Sequence, residues 1–248
     1  MTKKLSSAIL LIAVILLFPG SSFAMIRIPG PGGAPASGGG GGGPTLVAAG
    51  SGQTVLDAQT SATITVNTTG VDFMLSVADS AGITPSVDTG GTQGVTWGTN
   101  TIGPQTGVGG SGFTGSYIHT PTVSASYAVK WNLRFGHSAV LSFSGFSTGT
   151  YDTGKLVLNS NASASSISPG TLTPSTNGSI IVTDLYTGGS NVTIDAPSGF
   201  TIVSDLNSAS SGRHVVAWKY QATAAAVTPT WSQTGSTFMG STMIVFKP

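Results

Sequence analysis

From about Gln53 onward the chain runs in short stretches of alternating apolar and polar residues, separated by Gly, Pro, Ser and Asn. That period of two, with frequent turn residues, predicts β-strands rather than helices. In "ASYAVKWNLRF", Tyr127, Val129, Trp131, Leu133 and Phe135 fall on one face, with Lys130, Asn132 and Arg134 on the other. Such a strand has one face on a core and one in water. "SAVLSFSGF" places Leu141 and Phe143 opposite Ser142 and Ser144. "GRHVVAWKYQA" is more apolar on both sides, as a central strand would be, and "GSTMIVFKP" reads as the last strand.

The pattern occurs twice. "TTGVDFMLSVADSAGITPSVDTGGTQGVTW" and "STNGSIIVTDLYTGGSNVTIDAPSGFTIV" share one plan of strand, loop, strand, Gly-containing turn and strand. In this alignment Gly70-Val71-Asp72 matches Gly178-Ser179-Ile180. "TPTVSASYAVKWNLRFGHSAVLSFSGF" has a looser counterpart in "AAAVTPTWSQTGSTFMGSTMIVF". Two copies are too few for a solenoid. The expected fold is all-β: an antiparallel, jelly-roll-like β-sandwich over residues 53–248, with similar halves at about 53–150 and 151–248. Within it "STGTYDTG" and "SNASASSISPG" read as loops. "NVTIDAPSGFT" reads as a turn, with Pro197, Ser198 and Gly199 reversing the chain.

The pattern upstream is different. Lys3 and Lys4 precede an apolar run from Ala8 to Phe18, too short for a comfortable membrane span. Pro19 and Gly20 break it, and Ser22-Phe23-Ala24 has the small-x-small form read by signal peptidase. Residues 1–24 are therefore expected to be a cleaved signal peptide, cut between Ala24 and Met25. The mature protein would be secreted or displayed at the cell surface, with no stable membrane span. Residues 25–52, rich in Gly and Pro with six consecutive glycines, read as a flexible linker.

Composition narrows the function. Only 7% of the 248 residues are charged, all eight acids are Asp, and Cys is absent. Disulfide staples, thiolate metal sites and a cysteine nucleophile are thereby excluded. Without Lys3 and Lys4, seven bases face eight acids, which offers nucleic acid no basic stripe.

A Gly-Gly or Pro-Ser-Gly turn between strands, an apolar strand ending at "FSGF" and a closing run of Trp, Ser, an aromatic and Lys-Pro form a recognisable set. Together they resemble secreted bacterial and phage-associated β-sandwich modules. The resemblance spans roughly residues 60–248 and rests on turn and core positions. It implies a sandwich fold and company with adhesion or surface proteins, and it brings no catalytic residues.

No other motif nominates a reaction. "GTYDTGKL" spells most of a phosphate loop but has Leu156 where a hydroxyl is needed, and no helix follows. "GHSAV" lacks the final Gly of a nucleophile elbow and reads as a hairpin turn entering a strand. His119, His137 and His214 have no metal-ligand spacing, and Asp184, Asp195 and Asp205 fall near predicted strand ends, where Asp serves turns. Asn67, Asn161, Asn177 and Asn191 begin Asn-x-Ser/Thr triplets, which a Ser- and Thr-rich chain produces by chance.

Among four tryptophans, Trp131 and Trp218 belong to apolar strands and are expected in the core. Trp97 borders the longest Gly-rich loop and is the aromatic expected to contact a ligand. The expectation is a non-catalytic module with a structural or adhesive role and no cofactor or metal, its partner a glycan or another surface protein. A carbohydrate-binding module and a virion or fibre subunit are the alternatives, with a hydrolase last.

Overall fold

The computed structural model describes residues 43–53, 61–81, 86–87, 101–106, 111–132, 136–208 and 212–248, which belong to one compact unit. Every regular element among them is a strand, and all pairings are antiparallel. The first half comprises β1 (Thr45–Gln53), β2 (Ser61–Val66), β3 (Phe73–Ala81), β4 (Ser86–Val87), β5 (Thr101–Thr106), β6 (Ser111–His119), β7 (Tyr127–Asn132) and β8 (Gly136–Ser144). The second half comprises β9 (Thr150–Ile167), β10 (Ser179–Thr187), β11 (Ile194–Asp195), β12 (Thr201–Ser208), β13 (Gly212–Gln221) and β14 (Trp231–Lys247).

In the first half, β1-β8-β3-β6-β5 form an inner sheet and β2-β7-β4 an outer one. Nested pairings of β1 with β8, β2 with β7 and β3 with β6, closed by β3–β8 and β4–β7, give a jelly-roll wrap. The second half repeats it with two long strands. The later part of β14 pairs with the start of β9 in the inner layer, and the earlier part of β14 pairs with the end of β9 and with β11 outside. The order β9-β14-β10-β13-β12 thus mirrors β1-β8-β3-β6-β5.

The duplication extends to individual residues. Phe73, Leu75 and Val77 lie opposite Phe143, Leu141 and Ala139; Ile180, Val182 and Asp184 lie opposite Phe246, Ile244 and Thr242. Phe73 therefore corresponds to Ile180, one position off the Gly70–Gly178 alignment read from sequence. Trp131 and Trp231 correspond as well, each fully buried beneath the outer layer. The Trp131 indole donates to Ser76 Oγ (2.6 Å), whose hydroxyl donates to the Ala139 carbonyl (2.8 Å). The Trp231 indole donates to Thr183 Oγ1 (3.1 Å), which donates to the Thr242 carbonyl (2.7 Å). Each relay gives a buried indole N–H and a buried hydroxyl their partners. The loops entering β3 and β7 are clasped by Thr68 and Ser124, and those entering β10 and β14 by paired backbone bonds between Leu172 and Val227.

The two inner sheets face each other. Phe73, Leu75, Leu141 and Phe143 from one half share a single core with Ile180, Val182, Val216, Ile244 and Phe246 from the other. The facing is two-fold in character: Phe143 of β8 meets Trp218 of β13 edge-on at 4.9 Å, and Phe246 of β14 meets Tyr117 of β6 edge-on at 5.7 Å. The far side of the first inner sheet packs on Ile64, Val66, Tyr127, Val129 and Trp131. The far side of the second packs on Trp231, Ile167, Leu172 and Val227. At one rim Gly43 lies against the Tyr220 ring, and Gly178 sits beside the Tyr220 hydroxyl and Pro248.

Two expectations require correction. The linker expected over residues 25–52 gives way to strand β1 from Thr45, because "TLVAAGSGQ" finds its hydrogen bonds along β8. The segments read as loops around Tyr151 and Asn161 form the 18-residue β9. Small polar side chains weaken the apolar alternation there, while β14 still supplies a ladder. "GTYDTGKL" accordingly runs into that strand, with Gly154 at φ 77°. The turn in "NVTIDAPSGFT" stands as read: Phe200 N–H donates to the Pro197 carbonyl at 3.0 Å, with Gly199 at φ 77°.

Ser76→Ala and Thr183→Val should each cost about 1–3 kcal/mol, because each leaves an indole N–H buried without its acceptor. Urea unfolding measures this, and a variant as stable as the parent would show that its relay carries no load.

Candidate functional site

The titratable side chains expected to act as isolated turn or strand residues converge at one end of the shared core. On β8, His137 alternates with Ala139, Leu141 and Phe143, so it faces the opposite half. On β13, His214 shares the face of Val216 and Trp218, and on β10 Asp184 shares that of Ile180 and Val182. Because β8 lies over β13, the His137 and His214 rings stack at 5.1 Å with 26° between planes. Both histidines are fully buried and Asp184 is 5% exposed.

Asp184 holds this arrangement. Its Oδ1 accepts the Thr242 N–H (2.8 Å) and the Thr242 hydroxyl, while Oδ2 faces His214 Nε2 at 3.4 Å. The Ser241 hydroxyl donates to the Asp184 carbonyl at 2.7 Å. One oxygen thus meets two donors of Thr242 and the other the imidazole of His214. Tyr186, next on the same face of β10, lies 6.2 Å from the His137 ring. Asp184 therefore belongs in mid-strand, buried, and not at the strand end its sequence context suggested.

Other candidates lie apart. His119 is at the opposite end of β3: its register partner is Phe73, whereas that of His137 is Asp79, six residues and about 20 Å away along a strand. The His119 ring pairs with the Gly149 carbonyl and packs by Phe73 and Tyr117. Asp205 makes a two-pronged pair with Arg213 (2.7 and 2.5 Å) across the β12–β13 ladder. Hydrogen bonding to Asp205 raises the Arg213 guanidinium above its already high ordinary value. Asp195, at the end of β11, accepts the Ser232 hydroxyl at 3.3 Å. Asp72 and Asp152 close turns, the first accepting the Gly145 and Phe146 N–H groups and the second the Ser175 N–H and hydroxyl.

Trp97, the expected ligand-contacting aromatic, lies outside the described residues, as do Ala24 and Met25 at the expected cleavage point. Trp231 is fully buried and Trp218 half-buried against Phe143. Among the described residues no group of three or more His and Asp side chains is placed to hold a metal ion, and no helix is long and apolar enough to cross a membrane.

The His137–His214–Asp184 convergence was missed in sequence. Alternation alone assigns each residue to an inward face, but only the crossing of β8 over β13 brings the faces together. The chain matches no family model, no curated protein and no solved structure.

Asp184→Ala should lower stability by about 3 kcal/mol, because it strands the Thr242 N–H and hydroxyl in a dry interior. Arg213→Met, which breaks a partly exposed pair, should cost at most about 1 kcal/mol. Denaturant midpoints of the two variants test the contrast, and equal losses would contradict it.

Proposed function

We propose that the protein is an exported, non-catalytic β-sandwich module, secreted or held at the cell surface, with a structural or adhesive role. The observation that carries this reading is where its chemistry-bearing side chains are used. His137, His214 and Asp184 are consumed in closing the core between two sheets, and Trp131 and Trp231 in closing the outer layers. The charge-poor remainder of the surface is supplied by Ser, Thr and Asn, a composition suited to broad contact with another surface. Loops at the ends of the sandwich are the places where such modules make specific contacts.

A second reading, a subunit that assembles by strand pairing, is favoured by β9. Among the described residues its 18 positions pair only with β14, and they carry a single Lys and no Pro, two of the usual guards on a sheet edge.

Two measurements divide these readings. On a glycan array the module should bind nothing that Trp97→Ala abolishes; binding lost in that variant would make it a carbohydrate-binding module instead. Light scattering over a range of concentrations should report one size for a module acting singly. Growth into larger species would favour the assembling subunit.

A further inference from the structure

A single run of chain, Gly145 to Gly149, carries the polypeptide from the first half to the second. It leaves β8 in one inner sheet and enters β9 in the other, so it straps the rim of the seam. The anchors that hold it come from the first half. The Asp72 carboxylate, at the entry to β3, accepts the Gly145 N–H (2.7 Å) and the Phe146 N–H (3.0 Å). The Phe146 side chain is 3% exposed and meets the Phe73 ring edge-on at 5.2 Å. The His119 ring, at the end of β6, pairs with the Gly149 carbonyl. Within the strap the Gly149 N–H donates to the Phe146 carbonyl at 2.9 Å, which doubles the chain back. A Cβ at Gly149 would strike the Phe146 ring, so the turn and the buried ring depend on each other.

The seam beneath this strap joins two copies of one architecture, each completing the core of the other. Two chains can therefore satisfy the same seam crosswise, the first half of each packing on the second half of the other. Strand pairings within each half survive, and contacts across the seam, such as Phe143 on Trp218 and Tyr117 on Phe246, are made again. What differs is the strap, which must leave the first half and run straight to reach the other copy. Extended, Gly145 to Gly149 span up to about 17 Å, more than the roughly 10 Å between packed sheets. Exchange of identical elements is a low-cost route to a dimer, governed by the hinge. We propose that the Gly145–Gly149 strap is the hinge of such an exchange, and that Asp72 and Phe146 latch it in the bent form that keeps both halves of one chain together. The partner is a second copy of this chain, and the contact surface is the seam itself. Since the two forms share everything else, their ratio is set by the strap and by concentration.

The test is refolding of the chain from Met25 to Pro248 out of urea at high concentration, with size read by light scattering. The parent should return as a single copy. Asp72→Ala should raise the dimer-to-monomer ratio about tenfold or more, because it removes two hydrogen bonds to a charged acceptor from the bent form alone. Asp195→Ala, at an exposed carboxylate ending β11, should behave as the parent. Dimers formed by exchange persist on dilution, because parting them requires opening the seam. A dimer held by pairing of β9 edges separates on dilution, so the fate of one idea does not decide the other. An Asp72→Ala protein that stays single overturns the proposal. So does a dimer that dilution dissolves, or a parent that dimerises as readily as the variant. Should Asp72→Ala fail to fold, deletion of the exposed Ser147 and Thr148 decides. A strap shortened in this way cannot turn back, and the protein should refold as a lasting dimer; a single-copy product overturns the proposal.

Discussion

Both inner sheets are apolar on both faces, and each face must be covered. This constraint organises the molecule, because a chain without Cys and with few charges has burial as its main source of stability. Each half supplies one cover from its own outer strands, closed by a buried tryptophan. The remaining cover is the other half. Phe73, Phe143 and Phe246, with Trp218 and Tyr117 beside them, form the seam where each half completes its partner.

The halves have kept the devices that define their shape and diverged where shape allows it. The tryptophan relay survives with Ser76 in one copy and Thr183 in the other, since either hydroxyl can accept from an indole and donate to a carbonyl. In the second half the passage from the outer to the inner layer is a bulged, continuous strand around Gly235. Polar substitution has accumulated at one end of the seam. Asp184 stands where the first half has Val77, and its carboxylate is tolerated because Thr242, in the place of Ala139, supplies the donors.

Much of this was legible in the sequence. The alternation around Trp131 and Leu141 gave strands with inward faces, and the two loosely matched stretches that contain Trp131 and Trp231 place their indoles in equivalent relays, an equivalence the loose match did not itself pick out. Strands built from small polar residues were not legible. In β1 and β9, Ser, Gly and Asn interrupt the apolar period, and the backbone ladder does what side-chain burial does elsewhere. The His137–His214–Asp184 cluster was legible only in pieces. Each residue's inward face follows from its neighbours, but their meeting depends on how two sheets cross, and no local pattern encodes that.

The contact of Gly43 and Gly178 with Tyr220, beside Pro248, has a topological consequence. Entry to and exit from the sandwich lie on the same rim, so the fold is nearly a closed circuit of chain. Joining the ends at that rim and opening the chain between Ser144 and Thr150 would reverse the order of the two jelly rolls along the polypeptide. Every strand would keep its neighbours. The architecture is thus indifferent to which roll is synthesised first, as a body made of two mutually completing copies should be.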